Sequence, residues 1–216
     1  MSLYLFAVLG PDAPPPPRGS RLRHVPCGGL LAVVRATERV PAPRPAALRR
    51  HAEVVRKLWD AAPAVVPARF GSVLPDEAAL MRELQPRLAE LRAALKLVRG
   101  RAQMTLRVFD AGGKRPAAAQ AGEPASGREF LAARAAWWRG ADVPGLPALL
   151  EAVRPLHAAE RIERHETPPL AASVYHLVDR ARVAEYRRAV SRRRGRMRLR
   201  VSGPWPPYAF APGGGA

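Results

Sequence analysis

Apolar residues change their spacing several times along this chain, and each change marks a predicted element. Residues 3–9 and 30–34 are short continuous apolar runs bounded by turn residues, the pattern of buried strands. Residues 22–25 read as a strand between them, with Gly28-Gly29 as the turn into the second run. Pro14 to Pro17 stiffen the connector at 10–20, and Pro41, Pro43 and Pro45 close this region. A helix is expected over 46–61, with Leu48, Val55, Leu58 and Trp59 on one face and Arg49, Arg50, Glu53 and Arg56 largely elsewhere. Residues 64–74 read as a short strand and a tight turn, and Pro67 puts that strand at a sheet edge or strand end. From Pro75 or Asp76 a long helix carries Leu80, Leu84, Leu88, Leu91, Leu95 and Val98 at spacings of three or four, with a kink at Pro86 and an end at Gly100.

The period then switches to two. Ala102, Met104, Leu106 and Val108 alternate with Arg101, Gln103, Thr105 and Arg107, a half-buried strand. After a Gly/Ala/Pro-rich loop at 110–126, helical patterns follow at 127–138 and 146–158. Strands are expected at 160–166 and 171–179 around a Pro168-Pro169 turn, then a helix at 183–193 and a last strand at 196–201. From residue 101 the order is β-α-β-β-α-β, that of the ferredoxin-like arrangement. The chain therefore reads as α+β: an N-terminal mixed α/β domain over 1–100 and a C-terminal ferredoxin-like domain over 101–216.

Charge adds a question about partners. The net charge is +18, and only Lys57, Lys96 and Lys114 among the 36 basic residues are lysine. Abundant Arg, Ala, Pro and Gly share GC-rich codons, which accounts for part of the bias. Asp and Glu together number only 18, so the positive excess is real. Eight arginines lie between Arg187 and Arg200, and on a strand Arg196, Arg198 and Arg200 share one face. Beside the polar face of strand 101–109 they would form a basic sheet surface, as in RNA-recognition domains. The aromatic signature those domains use to stack bases is absent. Nucleic acid is thus the competing partner class.

Little else nominates chemistry. Cys27 is the single cysteine, so neither an internal disulfide nor a Cys-based metal site can form. His24, His51, His157, His165 and His176 are scattered, with no His-Glu-x-x-His pattern and no Gly-x-Ser-x-Gly elbow. His51 reads as a packing or capping residue. His165, near Glu163 and Glu166, reads as part of a solvated strand face. The chain has no phosphate-binding glycine loop. No catalytic residue, metal, cofactor or small-molecule substrate is expected, and the chain reads as a non-enzyme. No apolar run approaches the roughly 20 residues of a membrane span. The apolar start lacks a basic leader and reads as a first strand, so a cytoplasmic location without a membrane partner is expected. Adjacent Trp137 and Trp138 sit about 100° apart on a helix, which makes them candidate interface anchors.

The closing stretch Gly203-Pro204-Trp205-Pro206-Pro207-Tyr208-Ala209-Phe210 is a stiff strip bearing three aromatic rings. Together with Ala64-Val-Val-Pro-Ala-Arg69-Phe70-Gly71-Ser-Val-Leu74, the His51-Ala-Glu-Val-Val55 helix and Gly127-Arg-Glu-Phe-Leu-Ala-Ala-Arg134, it resembles the gas vesicle GvpL/GvpF family. The Arg-Phe-Gly stretch and the closing strip are the most specific of these motifs. Ala64 and Ala68 depart from the family's usual proline and phenylalanine. The resemblance implies two domains, the second a modified ferredoxin-like fold. It also implies an accessory or minor structural role in gas vesicle formation, at the vesicle, through contacts with the hydrophobic shell protein and other accessory proteins. The candidate partner-binding residues are then Trp137, Trp138, Arg196, Arg198 and Arg200. Arg69, Phe70, Gly71 and the closing strip are expected to be structural, the strip as a clasp that folds back on the chain.

Overall fold

A computed structural model describes residues 1–17, 19–109, 143–165 and 167–213. The chain divides into two compact units, one of Met1–Gln103 with Trp205–Ala216, the other of Met104–Pro204. From Trp205 onward the closing strip thus groups with the first unit, whereas its place in the chain suggested the second.

In the first unit, β1 (Ser2–Leu9) is central and buried along nearly its whole length, which accounts for its unbroken apolar run. It pairs antiparallel with β3 (Leu30–Thr37), whose other edge carries β2 (Arg23–Cys27). On its far side, Ala7 to Leu9 face β4 (Val65–Pro67), while Leu3 and Tyr4 face β5 (Val73–Leu74). A register shift between Leu5 and Ala7 marks a bulge in the β1–β3 ladder. The order is β2-β3-β1-β4, so Pro67 ends an edge strand, where a missing N–H costs no ladder bond.

Helix α1 (Pro45–Ala61) starts with proline at its first turn and buries His51, Val55, Leu58 and Trp59. Leu48 was expected on this face but is exposed. Helical side chains lean toward the N-terminus, so one in the first turn projects past the helix start. Asp76 caps α2 (Glu77–Leu84), its carboxylate accepting from the Ala79 N–H at 2.7 Å. The single long helix expected here is two. Pro86 lacks the N–H that would continue the ladder, and a 3₁₀ turn at Gln85–Arg87 separates α2 from α3 (Leu88–Val98).

The second unit carries a four-stranded sheet of β6 (Arg101–Phe109), β7 (Ala159–Arg164), β8 (Leu170–Asp179) and β9 (Leu199–Trp205) in the order β7-β8-β6-β9. Among the described residues, α4 (Leu146–Val153) and α5 (Val183–Arg193) pack on it. Counted within the unit, the order is 2-3-1-4, the ferredoxin-like topology. Met104, Leu106, Leu149, Val174 and Tyr186 are fully buried in one cluster between sheet and helices.

Two expectations about this sheet change. The last strand begins at Leu199 rather than 196, because the turn at Gly195 continues through a Met197 N–H to Arg194 carbonyl bond of 3.0 Å. Arg196 lies in that turn, Arg198 precedes the strand, and only Arg200 is within it. The strand also runs on through Gly203-Pro204 to Trp205, which its edge position permits. On β6, Gln103 and Thr105 are buried, so its polar face is not the open basic surface expected.

Candidate functional site

Three groups of residues stand out, each within one unit. The first surrounds Tyr4 on β1. Its hydroxyl accepts from the Gly71 N–H at 3.1 Å and is hydrogen-bonded to His51 Nδ1 at 2.9 Å. The Phe70 ring meets Tyr4 and His51 edge-on, at 6.3 and 5.8 Å between centroids, and Phe6 stacks on His51 at 5.5 Å. Burial pulls the His51 imidazole below its ordinary value and pushes the Tyr4 phenol up. Gly71, at φ +85°, makes the turn that brings its N–H to Tyr4, a conformation costly for a residue with a Cβ. On either side of the motif, Ala68 N–H reaches the Phe6 carbonyl at 2.9 Å and the Ser72 carbonyl accepts from Leu5 N–H at 2.8 Å. The Arg-Phe-Gly segment is therefore stitched along β1 by main chain and side chain together.

The closing strip from Trp205 onward belongs to the same unit. Pro206 and Pro207 are buried, and a 3₁₀ turn at Tyr208–Phe210 follows. The Ala209 N–H donates to the buried Gln103 side chain at 2.8 Å. The Arg69 guanidinium donates to the Gly213 carbonyl. Burial drives the Tyr208 phenol far up its range, with Tyr4 adding to the shift, and its buried hydroxyl has no hydrogen-bond partner among the described residues. Trp205 alone of the strip's rings stays open, 46% exposed.

The second group is basic. Arg196, Arg198 and Arg200 are all exposed. Arg187, Val190, Ser191, Arg194 and Val201 line a shallow open cleft of about 190 Å³, and Arg187 also donates to the Gly203 carbonyl. Trp137, Trp138 and the 127–134 motif lie outside the described residues.

The third group was not foreseen as a group. In the β7–β8 hairpin Glu160 lies opposite His176, and the Glu160 carboxylate meets His176 Nε2 at 2.8 Å. His176 Nδ1 bonds the Tyr186 hydroxyl on α5 at 2.6 Å. The His157 ring lies flat on His176, centroids 4.1 Å apart and planes 9° off parallel. Burial, the neighbouring His176 and Arg154 together take His157 down to about 4, against the opposing pull of Glu160. The hydrogen bond from His176 holds Glu160 below the ordinary carboxylate value despite its partial burial. The signal for this group is the hairpin register, which the sequence alone did not specify. His165, the histidine singled out beforehand, instead bonds Ser173 at 2.8 Å, while Glu163 accepts from Tyr175 at 2.7 Å.

Residues 2–212 match the family described as gas vesicle synthesis protein GvpL/GvpF. The chain belongs to this family. Two solved structures share its fold. The gas vesicle protein GvpF from Anabaena sp. PCC7120 is 18% identical, with a TM-score of 0.72 over 97% of this chain and 98% of that one. GvpF from Microcystis aeruginosa is 15% identical, with the same TM-score and coverage. No curated protein sequence matches the chain. The GvpL/GvpF motifs read from the sequence thus fall within a full-length family match. Two of them, the Arg-Phe-Gly stretch and the closing strip, meet in one unit around Tyr4 and Gln103. Among the described residues no helix is long and apolar enough to cross a membrane.

Proposed function

We propose that this protein acts in gas vesicle formation as a non-enzymatic accessory or minor structural component that binds the hydrophobic shell protein, alongside other gas vesicle proteins. The family match across residues 2–212 carries this reading. The geometry supports it in a specific way. The rings of the Arg-Phe-Gly motif and of the strip are committed to packing within the first unit, except Trp205, which is left open to a partner. A half-exposed tryptophan on a proline-stiffened strip loses little conformational entropy on binding, as a hot-spot anchor requires. Trp137 and Trp138 remain candidates for the same role. Exposed Arg196, Arg198 and Arg200 suit an acidic surface on the same partner or a second one. They also keep a nucleic-acid reading alive, although the burial of Gln103 and Thr105 removes the broad basic sheet that reading relied on.

The test is co-purification of tagged protein with co-expressed shell protein. Wild type is expected to retain the shell protein, and Trp205→Ala to weaken retention by about 10-fold or more, the scale of a hot-spot loss. Arg196/198/200→Ala is expected to alter the salt dependence more than the retention. If wild type retains no shell protein while it binds single-stranded RNA with a steep salt dependence, the partner class is nucleic acid.

A further inference from the structure

We propose that His157, Glu160 and His176 form a binding site for a divalent transition metal of the zinc class in the second unit. The inference stands apart from the gas vesicle reading and rests on four observations. Each of the three residues offers a ligand atom, and all three atoms lie within 4.8 Å of one another. His157 Nε2 is 3.8 Å from the Glu160 carboxylate and His176 Nε2 is 2.8 Å from it. Because the two rings are stacked 9° off parallel and an imidazole binds metal in its own plane, the His157 ring must turn out of the stack for bonds of about 2.0–2.2 Å to bridge the three residues.

His157 supplies the second observation. Its side chain is 8% exposed, and neither ring nitrogen has a hydrogen-bond partner among the described residues. A buried imidazole with two orphan nitrogens is costly, and a metal bond would satisfy one of the two. Third, His176 has the outer partner that ligating histidines use. The Tyr186 hydroxyl sits on Nδ1, and being both donor and acceptor it serves either tautomer. Without metal, Tyr186 donates to Nδ1 and Nε2–H donates to Glu160. With metal, the proton sits on Nδ1 and donates to Tyr186, which frees the Nε2 lone pair with no change in net charge. Fourth, Arg154, whose charge reaches His157, is exposed and directs its guanidinium to Glu151 at 3.1 Å rather than to the three ligand atoms. Two imidazoles and one carboxylate, the last at the solvent-exposed edge, make the donor set of a three-ligand zinc-type site.

The experiment titrates chelator-stripped, full-length protein with Co²⁺ and then Zn²⁺. The expected result is a single equivalent of Co²⁺ with the visible bands of a low-coordinate site, bleached by Zn²⁺, and a thermal midpoint that rises with metal concentration. Tyr186→Phe should weaken binding by about 10–100-fold through loss of the outer partner. His157→Ala and Glu160→Gln should weaken it further, and His165→Ala should leave it unchanged. Glu160 lies toward solvent, so Glu160→Gln keeps the test decisive if His157→Ala fails to fold. Absence of stoichiometric binding by the wild type, or equal binding by Glu160→Gln, overturns the proposal.

Discussion

Tyr208→Ala is expected to lower the stability of the first unit by about 2–4 kcal/mol, while Tyr208→Phe leaves it unchanged or raises it by about 1 kcal/mol. The two outcomes come from different parts of one side chain. The ring follows two buried prolines and turns the strip back toward Gln103 and Tyr4, so its loss opens a cavity beneath the strip. The hydroxyl is buried with no hydrogen-bond partner among the described residues. Deleting a desolvated, unpaired hydroxyl removes a penalty and costs no bond. Denaturant midpoints of the three proteins at constant slope give the comparison. A loss on Tyr208→Phe as large as on Tyr208→Ala would mean that the hydroxyl is satisfied and the clasp is held differently.

The same substitution should have the opposite sign at Tyr186. Tyr186→Phe is expected to cost about 1–3 kcal/mol, because it strands His176 Nδ1 in a fully buried place. Tyr186→Ala should cost about 3–5 kcal/mol, since the ring is among the largest fully buried side chains and α5 packs through it onto the sheet. Amide exchange resolves which unit is affected. The β8 amides should lose protection in the Tyr186 variants, and the β1 amides in Tyr208→Ala. A Tyr186→Phe protein as stable as wild type would show that the bond to His176 contributes nothing net.

Much of this architecture can be read from residue order, because the strongest signals are local. The unbroken run in β1 follows from burial on both faces, and the βαββαβ order follows from alternating periods. Asp76 as a helix cap and Pro67 at a strand end need only neighbours in sequence. What escaped reading depends on distant contacts. The periodicity of residues 101–109 placed Gln103 and Thr105 on an open face. Gln103 is buried instead, where its side chain accepts from Ala209, over a hundred residues away. Leu48 has the right angular position on α1 but lies too near the helix start to be covered. Arg196 and Arg198 fell outside the last strand because a turn after Gly195 persists two residues longer than its glycine suggests. The Glu160–His176 pairing requires the hairpin register, which sets residues on two strands opposite one another.

The functional reading shows the same division. The Arg-Phe-Gly stretch and the closing strip were recognisable as motifs, but their meeting in one unit through β1, Gln103 and Gly213 was not. Each supplies contacts to the same small unit, and neither holds its shape through local interactions alone.

The most direct measurement of the central claim is vesicle yield in cells that carry the complete gas vesicle gene set except this one, scored by electron microscopy and pressure-sensitive light scattering. Without the protein, vesicles are expected to be absent or reduced at least about 10-fold, and restored by the wild-type chain. The Trp205→Ala chain, expected to fold but to bind the shell protein weakly, should restore them only in part. Normal numbers of normally shaped vesicles in its absence, with the remaining set unchanged, would contradict the account.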